Sequence, residues 1–278
     1  MEGTPPFLIQ ENTEDEKFLK CLIYGIHGAG KTYFAGTSSD VESMRDVLLL
    51  SVEGGDMTLK DEVHRFGDID IVQARAFGQI SAVQKFLVAH CQVRDSDTPE
   101  AKERLLEWER WLKGNPKISS PKRYRTILVD SLSEIDVVHR NKLQGIDEDT
   151  PLDVDPGDSS WSLYNRNLSK IIRLVKLLRD LPVHVIITCA AAYKEDHLNR
   201  RRYQPKLVGQ LSTDVQGVVD VVGYLEAGAV NEETGEQPRR LWVMPGPTHD
   251  AKCRWSANKK PFFLNATLKE VLTSVGLH

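Results

Sequence analysis

The chain reads as an α/β protein, with a mostly parallel sheet, helices on both faces and a β-hairpin near the C-terminus. Three observations point there. The octapeptide Gly25-Ile26-His27-Gly28-Ala29-Gly30-Lys31-Thr32 fits the G-x-x-x-x-G-K-[ST] phosphate-binding pattern and directly follows the apolar run Cys21-Leu22-Ile23-Tyr24. Continuous apolar runs recur at 46–52 and 126–129, the mark of strands buried on both faces. Stretches with helical spacing separate them, and alternating βαβ order implies right-handed crossovers and a parallel sheet.

Residues 1–18 are polar and acidic apart from Pro5-Pro6-Phe7-Leu8-Ile9, and read as an N-terminal arm ahead of a core over 19–265. After the phosphate loop a helix starts near Lys31. The strand at 46–52 ends on Glu53-Gly54-Gly55, and Asp-Ile-Asp-Ile-Val at 69–73 suggests a short strand. Apolar spacings of three and four predict helices over 79–92 and 98–113. A loop rich in Pro, Lys and Ser (114–123) leads to a strand at 125–130 that ends on Asp130. Residues 143–160 hold Asp147, Glu148, Asp149, Asp153, Asp155 and Asp158 with two prolines, and predict a long loop. Leu163, Leu168, Ile171, Ile172, Leu174, Val175 and Leu178 mark an amphipathic helix over 160–180. A strand over 183–189 follows, then a polar stretch to 211. Segments 218–228 and 239–245 read as a hairpin, 250–255 looks extended, and Thr267 with Glu270 fits a capping box for a last helix within 266–278.

A chain of 278 residues with 40 % hydrophobic content suits one domain with appendages. Its net charge of −4 excludes a basic nucleic-acid coat, so any DNA contact requires a local patch. Cys21, Cys91, Cys189 and Cys253 show no C-x-x-C spacing, and no apolar N-terminal segment resembles a signal peptide. A reducing, cytoplasmic location without membrane attachment is expected. His249 and Cys253 lie four apart, but two ligands make no zinc site.

Glycines let the loop turn so that backbone N–H groups converge on phosphate oxygens, and the helix start adds its dipole. Gly25, His27, Gly28, Ala29, Gly30, Lys31, Thr32 and Tyr33 are the expected nucleotide-binding residues. Lys31 would reach the β- and γ-phosphates, and Thr32 would offer its hydroxyl to Mg²⁺. Asp130, at a strand end, is the expected second Mg²⁺ residue. Hydrolysis also needs a group that orients or deprotonates water, and Glu53 stands at the end of another buried strand with two glycines after it.

The order of pieces resembles the RecA-like ATPase core: phosphate loop, Glu53-Gly54-Gly55, Val129-Asp130-Ser131, long loop, amphipathic helix, strand, polar loop and hairpin. It is more closely similar to the phage nucleotide-binding proteins that include the Sak-type single-strand annealing ATPases. Asp158-Ser159-Ser160-Trp161 and Pro205-Lys206-Leu207-Val208-Gly209 before Asp220-Val221-Val222-Gly223 add to the match. The resemblance implies that Glu53 is the catalytic base and that Asp130 holds the metal through water. It also implies that Lys252 and Arg254 complete a neighbour's site in trans, as an arginine finger does. Segments 143–160 and 194–210 take the place of two DNA-binding loops. The second carries Lys194, Arg200, Arg201, Arg202, Tyr203 and Lys206, a basic run with one aromatic, as single-strand binding uses. One departure is Cys189-Ala190-Ala191, where recombinases carry an Asn-Gln pair that relays the state of the γ-phosphate.

The function this implies is a phage-type recombination protein, acting in the infected host's cytoplasm, that hydrolyses ATP with Mg²⁺ and binds single-stranded DNA. It would assist annealing or strand exchange as a homo-oligomeric ring or filament, with a single-strand-binding protein as an admissible partner. Alternatives are a motor or loader ATPase acting on a protein or duplex DNA, a small-molecule kinase, and a nucleotide-gated structural subunit.

Overall fold

The computed structural model describes residues 18–60, 62–195, 201–235, 237–255 and 257–277. The expected strands appear at β1 (Lys20–Gly25), β2 (Val47–Ser51), β3 (Asp70–Gln73) and β4 (Thr126–Asp130), with β5 (His184–Glu195) and β6 (Arg201–Pro205) further on. β7 (Val221–Ala227), β8 (Arg239–Trp242), β9 (Lys252–Cys253) and β10 (Phe262–Leu264) follow. Between them lie α1 (Lys31–Gly36), α2 (Phe77–Arg94), α3 (Pro99–Lys113), α4 (Leu132–Leu143), α5 (Trp161–Arg179), α6 (Leu211–Val218) and α7 (Leu268–Ser274). The main sheet runs β10-β8-β7-β1-β5-β4-β2-β3. It is parallel from β3 to β7, and β8 and β10 are added antiparallel.

The unbroken apolar runs follow from this burial. Leu22 and Tyr24 face one side with Ile127, Val129 and Ile187, under Ile80, Ile135, Ile171, Leu174 and Val215 of α2, α4, α5 and α6. Cys21 and Ile23 face the other with Leu49, Leu128 and Ile186, under Phe34 of α1 and Leu268 and Val271 of α7. Both faces of each central strand are therefore dry, and each large side chain buried there contributes about 1.5–3 kcal/mol. Among the described residues, no helix is long and apolar enough to cross a membrane.

Two expectations need correction. The strand expected to stop at Cys189 runs on to Glu195 and pairs antiparallel with β6, matching Tyr193 with Tyr203, Lys194 with Arg202 and Glu195 with Arg201. The stretch read as a polar loop is therefore largely a hairpin. Its inward face is aromatic: Tyr203 stacks on Tyr224 with ring centroids 5.1 Å apart, and Tyr224 stacks on His249 at 5.4 Å. The charged outward residues hid that alternation. Second, α6 occupies 211–218, so the hairpin strand starts at Val221 rather than 218. The segment after Asp130, which the sequence reading did not assign, holds α4, whose apolar spacing is interrupted by Asp136 and His139, both buried in a polar network. Asn167 donates to Asp136 Oδ1 at 2.6 Å, and its Oδ1 lies 2.8 Å from His139 Nδ1. Residues 144–160 are irregular, as expected.

Candidate active site

β1 delivers the chain to the middle of the sheet, and the turn 26–30 folds over its end before α1 begins. Gly28 (φ 77°) and Gly30 (φ 91°) take left-handed conformations that side chains rarely adopt. Gly25 packs against the carbonyl oxygen of Leu225 so closely that a Cβ there would collide. Lys31 is buried, and its Nζ donates to the carbonyl oxygens of Gly25 (3.1 Å) and Ile26 (3.0 Å) across the loop. Burial lowers its pKa, while the charges of Glu53 and Asp130 oppose that shift.

Asp130 terminates β4 two strands away, with β5 between it and β1. Thr32 Oγ1 donates to its Oδ2 at 2.9 Å, and Thr188 of β5 donates to Oδ1. Burial raises the Asp130 pKa, and the hydrogen bonds from Thr188 and Thr32 counter that shift. The turn Glu53-Gly54-Gly55 passes directly over this pair. A Cβ on Gly55 would lie 2.7 Å from Asp130 Oδ2 and 3.1 Å from Thr32 Oγ1, so the second glycine is what lets the turn approach. The Glu53 and Val52 amides both donate to the Asp130 carbonyl, at 3.2 and 2.7 Å, which ties the two strand ends together. Glu53 itself is exposed and lines a cavity of about 280 Å³ with His27, Arg140 and Lys206.

The Thr32 hydroxyl and the Asp130 carboxylate are hard oxygen donors, which fits Mg²⁺. Among the described residues no three His, Cys, Asp or Glu gather into a metal-holding group. An ion here would take its remaining ligands from phosphates and water, as Mg²⁺ does in nucleotide sites.

The other side of the loop opens into a cleft of about 810 Å³ lined by Gly30, Tyr33, His64, Arg239 and Asn265. The Arg239 guanidinium lies over the Tyr33 ring, 5.9 Å from its centroid, and a Cβ on Gly30 would sit 2.8 Å from Arg239 Nε. His64 is anchored by Asp40 at 2.6 Å and meets the Tyr33 ring edge-on at 5.2 Å. Tyr33 therefore lines this cleft beside Arg239 and His64, and Arg239, His64 and Thr188 are neighbours of the loop that the sequence reading did not name. Thr188 did leave a signal, as a lone hydroxyl inside the apolar run 185–189. Arg239 and His64 left none, because only the fold brings them to the loop.

The expected trans pair is engaged within its own subunit. Lys252 Nζ donates to the Gln216 carbonyl at 2.5 Å. Arg254 Nη2 donates to the Gly217 carbonyl at 2.5 Å, and its Nη1 meets Asp220 Oδ1 at 3.2 Å. Both cations thus satisfy carbonyls in the last turn of α6. The expected DNA-binding residues separate. Arg200 lies outside the described residues. Arg201 pairs with Glu195 at 2.8 Å, Arg202 pairs with Asp250 at 2.7 Å, and Tyr203 belongs to the aromatic stack. Lys194 and Lys206 are exposed, but Lys206 lines the Glu53 cavity. Two cations of the run, Arg201 and Arg202, are thus paired with carboxylates, and they sit on a hairpin rather than in a loop.

A family model described as AAA domain matches residues 17–255. Among solved structures, the flagellar accessory protein FlaH from Methanocaldococcus jannaschii is similar at 9% sequence identity and a TM-score of 0.39, over 89% of this chain and 85% of that one. No curated protein matches the chain.

Proposed function

This chain belongs to the AAA domain family, and we propose that it is a RecA-like ATPase that hydrolyses ATP with Mg²⁺ and acts on single-stranded DNA, assisting annealing or strand exchange. The observation that carries hydrolysis is the hydrogen bond from Thr32 to the buried Asp130 beside Lys31, with Glu53 just past the adjoining strand end. The loop amides and Lys31 hold the β- and γ-phosphates. Thr32 and Asp130 would hold Mg²⁺, which when bound would supply positive charge to the transferring phosphoryl group. Glu53 accepts the proton of the attacking water in the 280 Å³ cavity, where the cations of Lys206 and Arg140 can face the developing charge. The ribose and base occupy the 810 Å³ cleft that Tyr33 and Arg239 line.

Phosphate release from ATP, with and without a single-stranded oligonucleotide, tests this. Glu53→Gln should keep ATP–Mg²⁺ binding and slow hydrolysis at least about a hundredfold, at the low end of what a general base contributes. Turnover close to that of the parent removes Glu53 from the mechanism. The exposed acidic loop favours a second reading, a motor or loader acting on a protein. Leu152 and Val154 stand in solvent among Asp149, Asp153 and Asp155, as in a loop that docks on a partner. Hydrolysis stimulated by a protein or by duplex, and not by single strands, would select it.

A further inference from the structure

The start of α2, the last turn of α4 and the first two-thirds of α5 line a cleft of about 1220 Å³ on the side of the sheet that these helices cover. Lys85, Lys142, Arg166, Lys170 and Arg173 line it, and no carboxylate does. All five are exposed, and among the described residues none has an ion-pair partner. Arg166, Lys170 and Arg173 follow one another at i, i+4 and i+7, a single stripe about 10 Å long on α5. Like charges at that spacing repel and cost helix stability, in a protein whose net charge is −4. At the end of the stripe the Trp161 indole is 75% exposed and lies against the Tyr164 ring, centroids 5.0 Å apart and 20° from parallel.

We propose that this cleft, rather than the β5–β6 hairpin, is the binding groove for a single-stranded polynucleotide. Its cations would track the phosphates, and Trp161 would stack on a base. The assignment rests on the proposed action on single strands and supplies the place where it happens. A row of unpaired cations beside an open aromatic face is the combination that holds a single strand without reading its sequence. A duplex keeps its base faces stacked on one another and leaves the indole without a partner. The rival occupant is the acidic loop 147–158 of a second copy, which would match the charge but offers no ring for Trp161.

The test is fluorescence anisotropy on the full chain with labelled oligothymidylate and oligouridylate, repeated over a range of salt. Arg166→Ala/Lys170→Ala/Arg173→Ala changes only exposed side chains, so its melting midpoint should match the parent's. It should lose affinity at least about tenfold and flatten the log–log salt slope by about two, since each single-strand phosphate contact contributes roughly 0.7. Trp161→Ala should lose affinity without changing the slope. Whichever strand shows these losses identifies the sugar. A parent that binds strands and a triple variant that binds them equally well would overturn the groove alone. A parent that binds neither strand overturns the single-strand reading as well. A triple variant whose only change is a shift to smaller oligomers makes the cleft a contact between copies and ends the proposal.

Discussion

Arg239 shows how the site depends on single side chains brought from far along the chain. Its Nε is buried without a hydrogen-bond partner, and its guanidinium sits between the Gly30 backbone and the Tyr33 ring. A buried donor left unpaired costs about 1–3 kcal/mol, which a nucleotide oxygen or ring nitrogen would offset. Arg239→Ala should therefore weaken ATP binding about tenfold, the effect of roughly 1.4 kcal/mol, as read by titration with a fluorescent ATP analogue. Unchanged affinity would take the nucleoside out of this cleft. The phosphate loop was legible in the sequence because its eight residues are contiguous, and Asp130 and Glu53 were legible because strand ends are. Arg239, His64 and Thr188 were not, since their roles come from contacts far apart in the chain. The carboxylate partners of Arg201 and Arg202 in the basic run were not legible for the same reason: Glu195 and Asp250 are brought to them by the fold.

At the scale of elements, strand identity was legible wherever both faces are apolar, and it failed where polar residues occupy one face, as in β6 and the outer half of β5. β5 also carries a titrating joint at its start. His184 Nδ1 accepts the Leu19 amide at 3.1 Å, which requires an unprotonated nitrogen. Burial, followed by the charges of Lys20, Arg125 and Arg94, pushes its pKa down from 6.5 to about 4. The unfolded chain therefore binds the extra proton first. Stability is fully present above pH 6.5 and is lost as pH falls toward 4, by about 2 kcal/mol between pH 7 and pH 5. Urea unfolding at those two pH values should show this loss, and His184→Asn should show a smaller difference between them. Equal differences in parent and variant would place the pH dependence elsewhere.

For the molecule as a whole, the question is whether one subunit's nucleotide is completed by the next. Lys252 and Arg254 were expected to supply that charge, yet both already serve the last turn of α6, and Arg254 also meets Asp220. Reaching a neighbour would break these bonds. The geometry predicts a structural role: Arg254→Ala should lower stability by about 0.5–1.5 kcal/mol, the worth of one hydrogen bond, because the exposed ion pair with Asp220 adds little. It should also retain most of its hydrolysis. Lys31→Ala removes the phosphate-binding amine and should neither bind nor turn over ATP. A mixture of the two variants separates the roles, because a trans finger would make Arg254→Ala inactive alone and recover activity wherever its intact phosphate loop faces the intact Arg254 of a Lys31→Ala neighbour. The expected result is activity equal to the sum of the separate proteins, with sedimentation showing whether they co-assemble. Activity above that sum in a co-assembled mixture would show that Arg254 leaves α6 to act across the interface, and that the conformation described here changes on assembly.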